Sequence, residues 1–172
     1  MGAERGKRRV HTLHAGELVF GKGGYVISTL LGSCVSVTLF HPAKKLAGIC
    51  HFALPGTASN EREKPDPRYA IDCFQLFKKH ADAHQCRLRE FHANIIGGGN
   101  MLDDPALHAA LPVQPSDKAK VGERNALIAL KLAHEHRLNI QAVDVGEFGY
   151  RKVRFFTDTG DICVSINNSN SQ

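Results

Sequence analysis

Ser28–Leu54, S-T-L-L-G-S-C-V-S-V-T-L-F-H-P-A-K-K-L-A-G-I-C-H-F-A-L, is the stretch whose reading decides the fold of this 172-residue chain. Ser36, Val37, Thr38, Leu39 and Phe40 alternate with the period of two of a half-buried strand, and a second strand is predicted from Leu46 to Leu54. Between them, His41-Pro42-Ala43-Lys44 reads as a four-residue hairpin loop in which Pro42 presets φ. If Phe40 pairs with Lys45, counting back sets Val37 against Gly48, Val35 against Cys50 and Cys34 against His51. Directly opposed residues have Cβ atoms about 4.5–5.5 Å apart, so an imidazole reaches a thiol. Register is the sensitive step, since a one-residue slip turns every side chain over.

A Cys-His couple is what nucleophilic catalysis requires, because the thiolate reacts and an adjacent imidazole takes its proton. An imidazolium partner predicts a Cys34 pKa below the free value of about 8.5. Gly32 and Ser33 allow a close backbone approach to substrate, and their amides suit an oxyanion. The plain alternative is a buried strand cysteine beside a satisfied histidine.

Upstream of this hairpin, Val10–Phe20 is predicted as a first strand, Gly21–Gly24 as a turn and Tyr25–Leu31 as a strand leading into Cys34. Downstream, Pro55–Arg68 is a loop rich in Pro, Gly, Ser and charge that could fold over the site. Tyr69–Gln85 is a helix burying Ala70, Phe74, Phe77 and Ala81, with Cys73 on its packing side. Leu88–Ile96 is a strand ending in Gly97-Gly98-Gly99-Asn100-Met101, which is no P-loop because no G-K-[ST] follows, and which lets backbone pass close to a strand or a substrate. Asp103–Lys120, with three prolines, reads as loop with one helical turn at Ala106–Ala110. A second helix opens at Val121 with the apolar stripe Ala126, Leu127, Leu130 and Ala133. Ile140–Val145 is a strand, and Lys152–Thr157 with Asp161–Ile166 form a hairpin. Many strands with two principal helices predict a single-domain α/β sandwich with a mixed, largely antiparallel sheet. Residues 1–9 are read as a basic disordered tail, 10–166 as the domain and 167–172 as a polar tail.

Composition narrows the functional classes. A hydrophobic fraction of 42% and a charged fraction of 23% are those of a globular domain of ordinary size. No segment approaches eighteen uninterrupted apolar residues and the N-terminus lacks the apolar run of a signal peptide, so no membrane insertion and a cytoplasmic location are expected. Five cysteines without a C-x-x-C pair argue against a disulfide framework and a structural zinc site. The formal charge of +5 is concentrated at Arg5, Lys7, Arg8 and Arg9, which reads as a solvated tail rather than a nucleic-acid surface. His134 and His136 are spaced so that a helix splays them apart, unlike the i,i+4 pair of a zinc helix.

Leu31-Gly32-Ser33-Cys34-Val35, the His51–Pro55 run seventeen positions after the cysteine, Gly97–Met101, Gly122-Glu123-Arg124-Asn125 and Asp144-Val145-Gly146 resemble, in order and spacing, the chemoreceptor glutamine deamidases, the CheD-type proteins of bacterial chemotaxis. The resemblance covers roughly Thr12–Ile166 and departs at Glu147, where the family often has a second glycine. It implies a three-layer α/β/α-type sandwich similar to bacterial toxin glutamine deamidases, with Cys34 as nucleophile and His51 as base. For the hydroxyl residue completing the triad, an ungapped count gives Ser28 and the threonine present is Thr29; strand alternation favours Ser28, and both stay open. Gly32, Ser33, Gly98, Gly99 and Asn100 are expected near substrate. The resemblance further implies no metal or organic cofactor, methyl-accepting chemoreceptors as substrate, and a CheC-type phosphatase as partner. Two rivals stand beside it: a binding module that regulates without turnover, and another Cys-His enzyme such as a transglutaminase or peptidase.

Overall fold

The computed structural model describes residues 8–57, 64–101 and 116–167, with the side chains of 116–120 excepted. In chain order these form β1 (Arg9–Thr12), β2 (Leu18–Gly21), β3 (Tyr25–Leu31), β4 (Val35–His41), β5 (Leu46–Phe52), α1 (Ala70–Ala83), a 3-10 turn (Leu88–Glu90), β6 (His92–Gly97), α2 (Ser116–Glu135), β7 (Asn139–Val145), β8 (Tyr150–Phe156) and β9 (Ile162–Asn167). Five strands make a central sheet in the order β2-β5-β4-β6-β7, and four make a second sheet, β1-β3-β8-β9. Among the described strand pairs, β1–β3 and β6–β7 are parallel and the other five are antiparallel. The fold is thus the single-domain, three-layer α/β sandwich with largely antiparallel pairing that the sequence predicts. Its third layer is a second sheet, where the resemblance implies helices.

Both faces of the central sheet are covered, which is why β4 and β5 are buried along their whole length. Val35, Val37, Leu39, Leu46, Cys50 and Phe52 face the helices, meeting Phe74, Phe77 and Ala81 of α1 and Ala129, Leu132 and Ala133 of α2. Gly48 is glycine because Phe20 and Phe77 occupy the space above it: a Cβ there would lie 2.7 Å from the Phe20 ring and 3.2 Å from that of Phe77. The opposite face of the sheet meets β3 and β8, with Phe40, Ala47 and Ile49 packing on Leu13, Ile27 and Phe155.

Four expectations are corrected. Val10–Phe20 is two strands in different sheets, because the chain turns through Gly16 at φ +83°. β1 starts at Arg9 and Arg8 pairs with Asp158 at 3.0 Å, so the last two residues of the basic run are structured. α2 begins at Ser116, within the segment read as loop, while the turn expected at Ala106–Ala110 lies outside the described residues. Its buried stripe is Ala126, Ala129, Leu132 and Ala133, and Leu127 is exposed, since only the first set follows one face toward the sheet.

The hairpin register also differs. His41 pairs with Leu46, which makes Pro42–Lys45 the loop; Lys45 takes φ +54° and its amide donates to His41 O at 2.8 Å. Ser36, not Cys34, therefore lies directly opposite His51. The shift is two residues, an even number, so each side chain keeps its face. Cys34 lies one residue before β4 and two before Ser36, so it is set diagonally across from His51 rather than opposite it.

Candidate active site

Between the two sheets the apolar packing gives way at one end to a polar group. Thr29, Ser36, Thr38 and His51 are all at most 4% exposed. The half-buried Cys34 packs beside them against Leu31, Ile96 and Val153.

Thr29 stands between Ile27 and Leu31 on the inward face of β3, whereas Leu30 is 57% exposed and Ser28 lies on that outward side. The Thr29 hydroxyl lies 2.8 Å from His51 Nδ1 and donates to Leu13 O at 2.7 Å. With its single proton committed to Leu13, Thr29 Oγ1 accepts from His51, which places the ring proton on Nδ1. Nε2 is then left with its lone pair, the form a base needs. Thr29 thus occupies the position for which alternation had favoured Ser28. The misreading came from counting Cys34 into the alternation of β3, across the bend at Gly32-Ser33 that resets it.

Burial pushes the Cys34 thiol above its ordinary value, opposite to the depressed pKa expected. Burial also lowers His51 to about 4, partly offset by the Leu13 carbonyl and by Glu17. At neutral pH the resting couple is a thiol and a neutral imidazole rather than an ion pair. Proton transfer then belongs to the moment of attack.

The glycine run backs the nucleophile loop. Gly98 N donates to Cys34 O at 2.8 Å and Gly99 N to Gly32 O at 2.9 Å, so these amides are committed to the loop's own carbonyls. Gly97, at φ +116°, leaves no room for a side chain, since a Cβ would lie 2.2 Å from Cys34 O. Asn100 N donates to Glu147 O at 2.7 Å, tying the run to the loop after β7. Met101 and Tyr150 close over Gly32, where a Cβ would lie 3.2 Å from Met101 Sδ and 3.4 Å from the Tyr150 ring. Gly98 and Gly99 are therefore packed behind the loop, with Gly32 and Ser33 on the side of Cys34.

Two groups escaped the sequence reading. Arg151 is 2% exposed, and its Nε and Nη2 donate to Asp144 Oδ1 at 3.2 and 3.1 Å. Asn125, seen only as part of a motif, is fully buried and bonded to both loops at the site. A buried arginine carries no periodic signal, but its place between Tyr150 and Lys152 on a strand of alternating burial was a usable one.

His41, Cys86 and Glu90 bring three ligand-type atoms within 4.8 Å of one another. His41 Nδ1, however, accepts the Lys44 amide at 3.1 Å, which leaves the proton on Nε2, the nitrogen that faces Glu90 at 3.8 Å. That tautomer suits an imidazole directed at a carboxylate and opposes metal ligation through Nε2. An apolar cavity of about 220 Å³ among Val19, Phe20, Tyr25, Ile27 and Ala47 shares none of the residues around Cys34.

Comparison with known proteins places these features in a family. Residues 53–166 match the family described as CheD chemotactic sensory transduction. The chain is 36% identical over 152 residues to the probable chemoreceptor glutamine deamidase CheD of Pseudomonas fluorescens (strain SBW25), covering 88% of this chain and 81% of that protein. It is 36% identical over 159 residues to the probable chemoreceptor glutamine deamidase CheD 3 of Dechloromonas aromatica (strain RCB), covering 90% and 85%. Among solved structures, Bacillus licheniformis hypothetical protein YfiH aligns at a TM-score of 0.36 and 15% identity, over 80% of this chain and 60% of that one, a likeness too slight to carry an argument. Because two thirds of the chain match the family and its relatives extend the match across the Cys34–His51 hairpin, this chain belongs to the CheD family.

Proposed function

We propose that this protein is a chemoreceptor glutamine deamidase, hydrolysing receptor glutamine side chains to glutamate through a thioester on Cys34. The observation that carries the reading is the bond sequence His51–Thr29–Leu13 O behind Cys34, in a chain whose relatives bear that activity in their names. A buried hydroxyl that fixes an imidazole tautomer beside a thiol has little to offer stability that valine would not.

His51 Nε2 takes the thiol proton as Sγ attacks the carboxamide carbon, while Thr29 holds the ring through Nδ1. The tetrahedral oxyanion is met by backbone amides of the Gly32–Cys34 loop. The imidazolium returns its proton to the amine, ammonia leaves, and a thioester remains. Water, deprotonated by His51, attacks the thioester; glutamate and free thiol are released. The balance is carboxamide plus water to carboxylate plus ammonium, and the scheme needs no metal or organic cofactor. The new negative charge on the receptor helix is the signalling product. We place the protein in the cytoplasm with those receptor segments; no described helix is long and apolar enough to cross a membrane. A CheC-type phosphatase that competes with receptor for the same mouth is the partner this reading carries.

The test is mass spectrometry of a chemoreceptor cytoplasmic fragment incubated with wild type and with Cys34→Ala. Amide-to-acid conversion by the wild type alone is expected. No conversion by either, with receptor binding retained, would leave a regulatory binding module.

A further inference from the structure

The β4–β5 ladder ends at the pair Val35 and Phe52. Cys34 lies just beyond this last pair on one strand, and His51 just inside it on the other. A ladder end is where pairing frays, yet two catalytic side chains must keep a fixed separation across this one.

Asn125 of α2 spans the gap. Its side-chain Nδ2 donates to Ser33 O and to Ala53 O, each at 3.0 Å. Ser33 immediately precedes Cys34, and Ala53 is two residues past His51. Both partners are carbonyls, so the orientation of the amide is fixed by chemistry. Its Oδ1 is directed elsewhere, buried, and without a partner among the described residues. An orphaned buried acceptor is a loss to stability, so the residue is poorly explained as core packing. Its depth is set one turn earlier on the same helix. Gly122 lies so close to the glycine run that a Cβ there would be 2.3 Å from Gly99 O and 2.8 Å from Gly98 O.

We infer that Asn125 is a positioning residue, a clip across the open end of the β4–β5 pair that holds the Cys34 loop and the His51 strand at their working separation. It touches neither substrate nor reacting atom. The inference rests on the Cys34–His51 reading above, so its test has one arm that needs no receptor.

The variant is Asn125→Ala. With receptor fragment, kcat is expected to fall about 100-fold with KM little changed, the scale of loss for misplaced reacting groups. Without receptor, the rate of Cys34 alkylation by iodoacetamide, read on the Cys34 peptide across a pH series, is expected to shift its inflection toward that of a free thiol. Phe74→Leu, in the helix-side core, is the control for lost stability and should change neither readout. If Asn125→Ala is not recovered folded, Asn125→Ser is measured in the same way. Unchanged kcat and an unchanged alkylation profile, at whatever thermal stability, would overturn the positioning role. A wild type with no deamidase activity but with the expected alkylation shift would reject the proposed reaction and keep the clip.

Discussion

The two faces of one hairpin are built to opposite ends. Toward the helices, β4 and β5 present Val35, Val37, Leu39, Leu46, Cys50 and Phe52, an apolar layer closed by Phe74 and Phe77. Toward the second sheet, the same strands present Ser36, Thr38 and His51 near the nucleophile and turn apolar only at the far end, at Phe40, Ala47 and Ile49. Burial is equal on both sides, but what is buried is not. The helix side holds the fold together, and the inter-sheet side spends stability on an arrangement of hydroxyls and an imidazole. The alternation of a strand lets each seven-residue strand do both, because neighbours in sequence belong to different layers.

If that division is right, mutations on the two faces should separate stability from activity. The largest effect is expected from Phe77→Ala on the helix side. Phe77 is fully buried and meets Phe74 edge-on with ring centroids 6.3 Å apart. Its truncation should lower unfolding free energy by about 3–5 kcal/mol in urea, with kcat of the folded protein kept.

The inter-sheet face should instead reveal itself through pH. His51, held near 4, has a folded value below the unfolded value of about 6.5. The unfolded chain therefore binds the extra proton first, and stability present above pH 6.5 is lost as pH falls toward 4. The loss is on the order of 3 kcal/mol, taken as the difference between wild type and His51→Gln in urea midpoints at pH 7 and pH 4. Equal pH slopes in the two proteins would mean that His51 is not desolvated.

Thr29→Val comes next. It keeps the shape and removes the acceptor for His51 Nδ1, so activity should fall about 100-fold by loss of the tautomer, while Thr29→Ser restores it. Ser28→Ala, on the outward face, should leave activity within about twofold, since it alters neither bond of the relay. The reverse ranking would return the third role to Ser28.

The smallest effect belongs to neither face. Asp82→Ala on the exposed side of α1 breaks a Lys78–Asp82 contact of 2.8 Å between half-exposed side chains. It should cost about 0.3–0.5 kcal/mol, vanishing in high salt.

Most of the layers were legible in the chain. Ala70, Phe74, Phe77 and Ala81 announce which face of α1 is buried, and the alternation from Ser36 to Phe40 announces a strand covered differently on its two sides. Local pattern failed where the deciding contact is distant in sequence. Leu127 fits an apolar stripe by spacing but points to solvent, because α2 is seated by Gly122 on Gly98 and Gly99. Val10–Phe20 reads as one strand because nothing in its own composition says that its halves join different sheets.

The same line divides the site. The sequence by itself determined the candidate pair, Cys34 after a flexible Gly-Ser and His51 on the return strand, since residue type and hairpin spacing are local properties. It also determined that both share a face, because a register error of two leaves side-chain direction unchanged. Only the tertiary structure decided that Ser36 stands opposite His51, that Thr29 rather than Ser28 meets the ring, and that Asn125 joins Ser33 to Ala53. Those bonds link residues 22 to 92 positions apart, and their partners are a second sheet and a helix whose positions are fixed by packing rather than by any local preference of the chain.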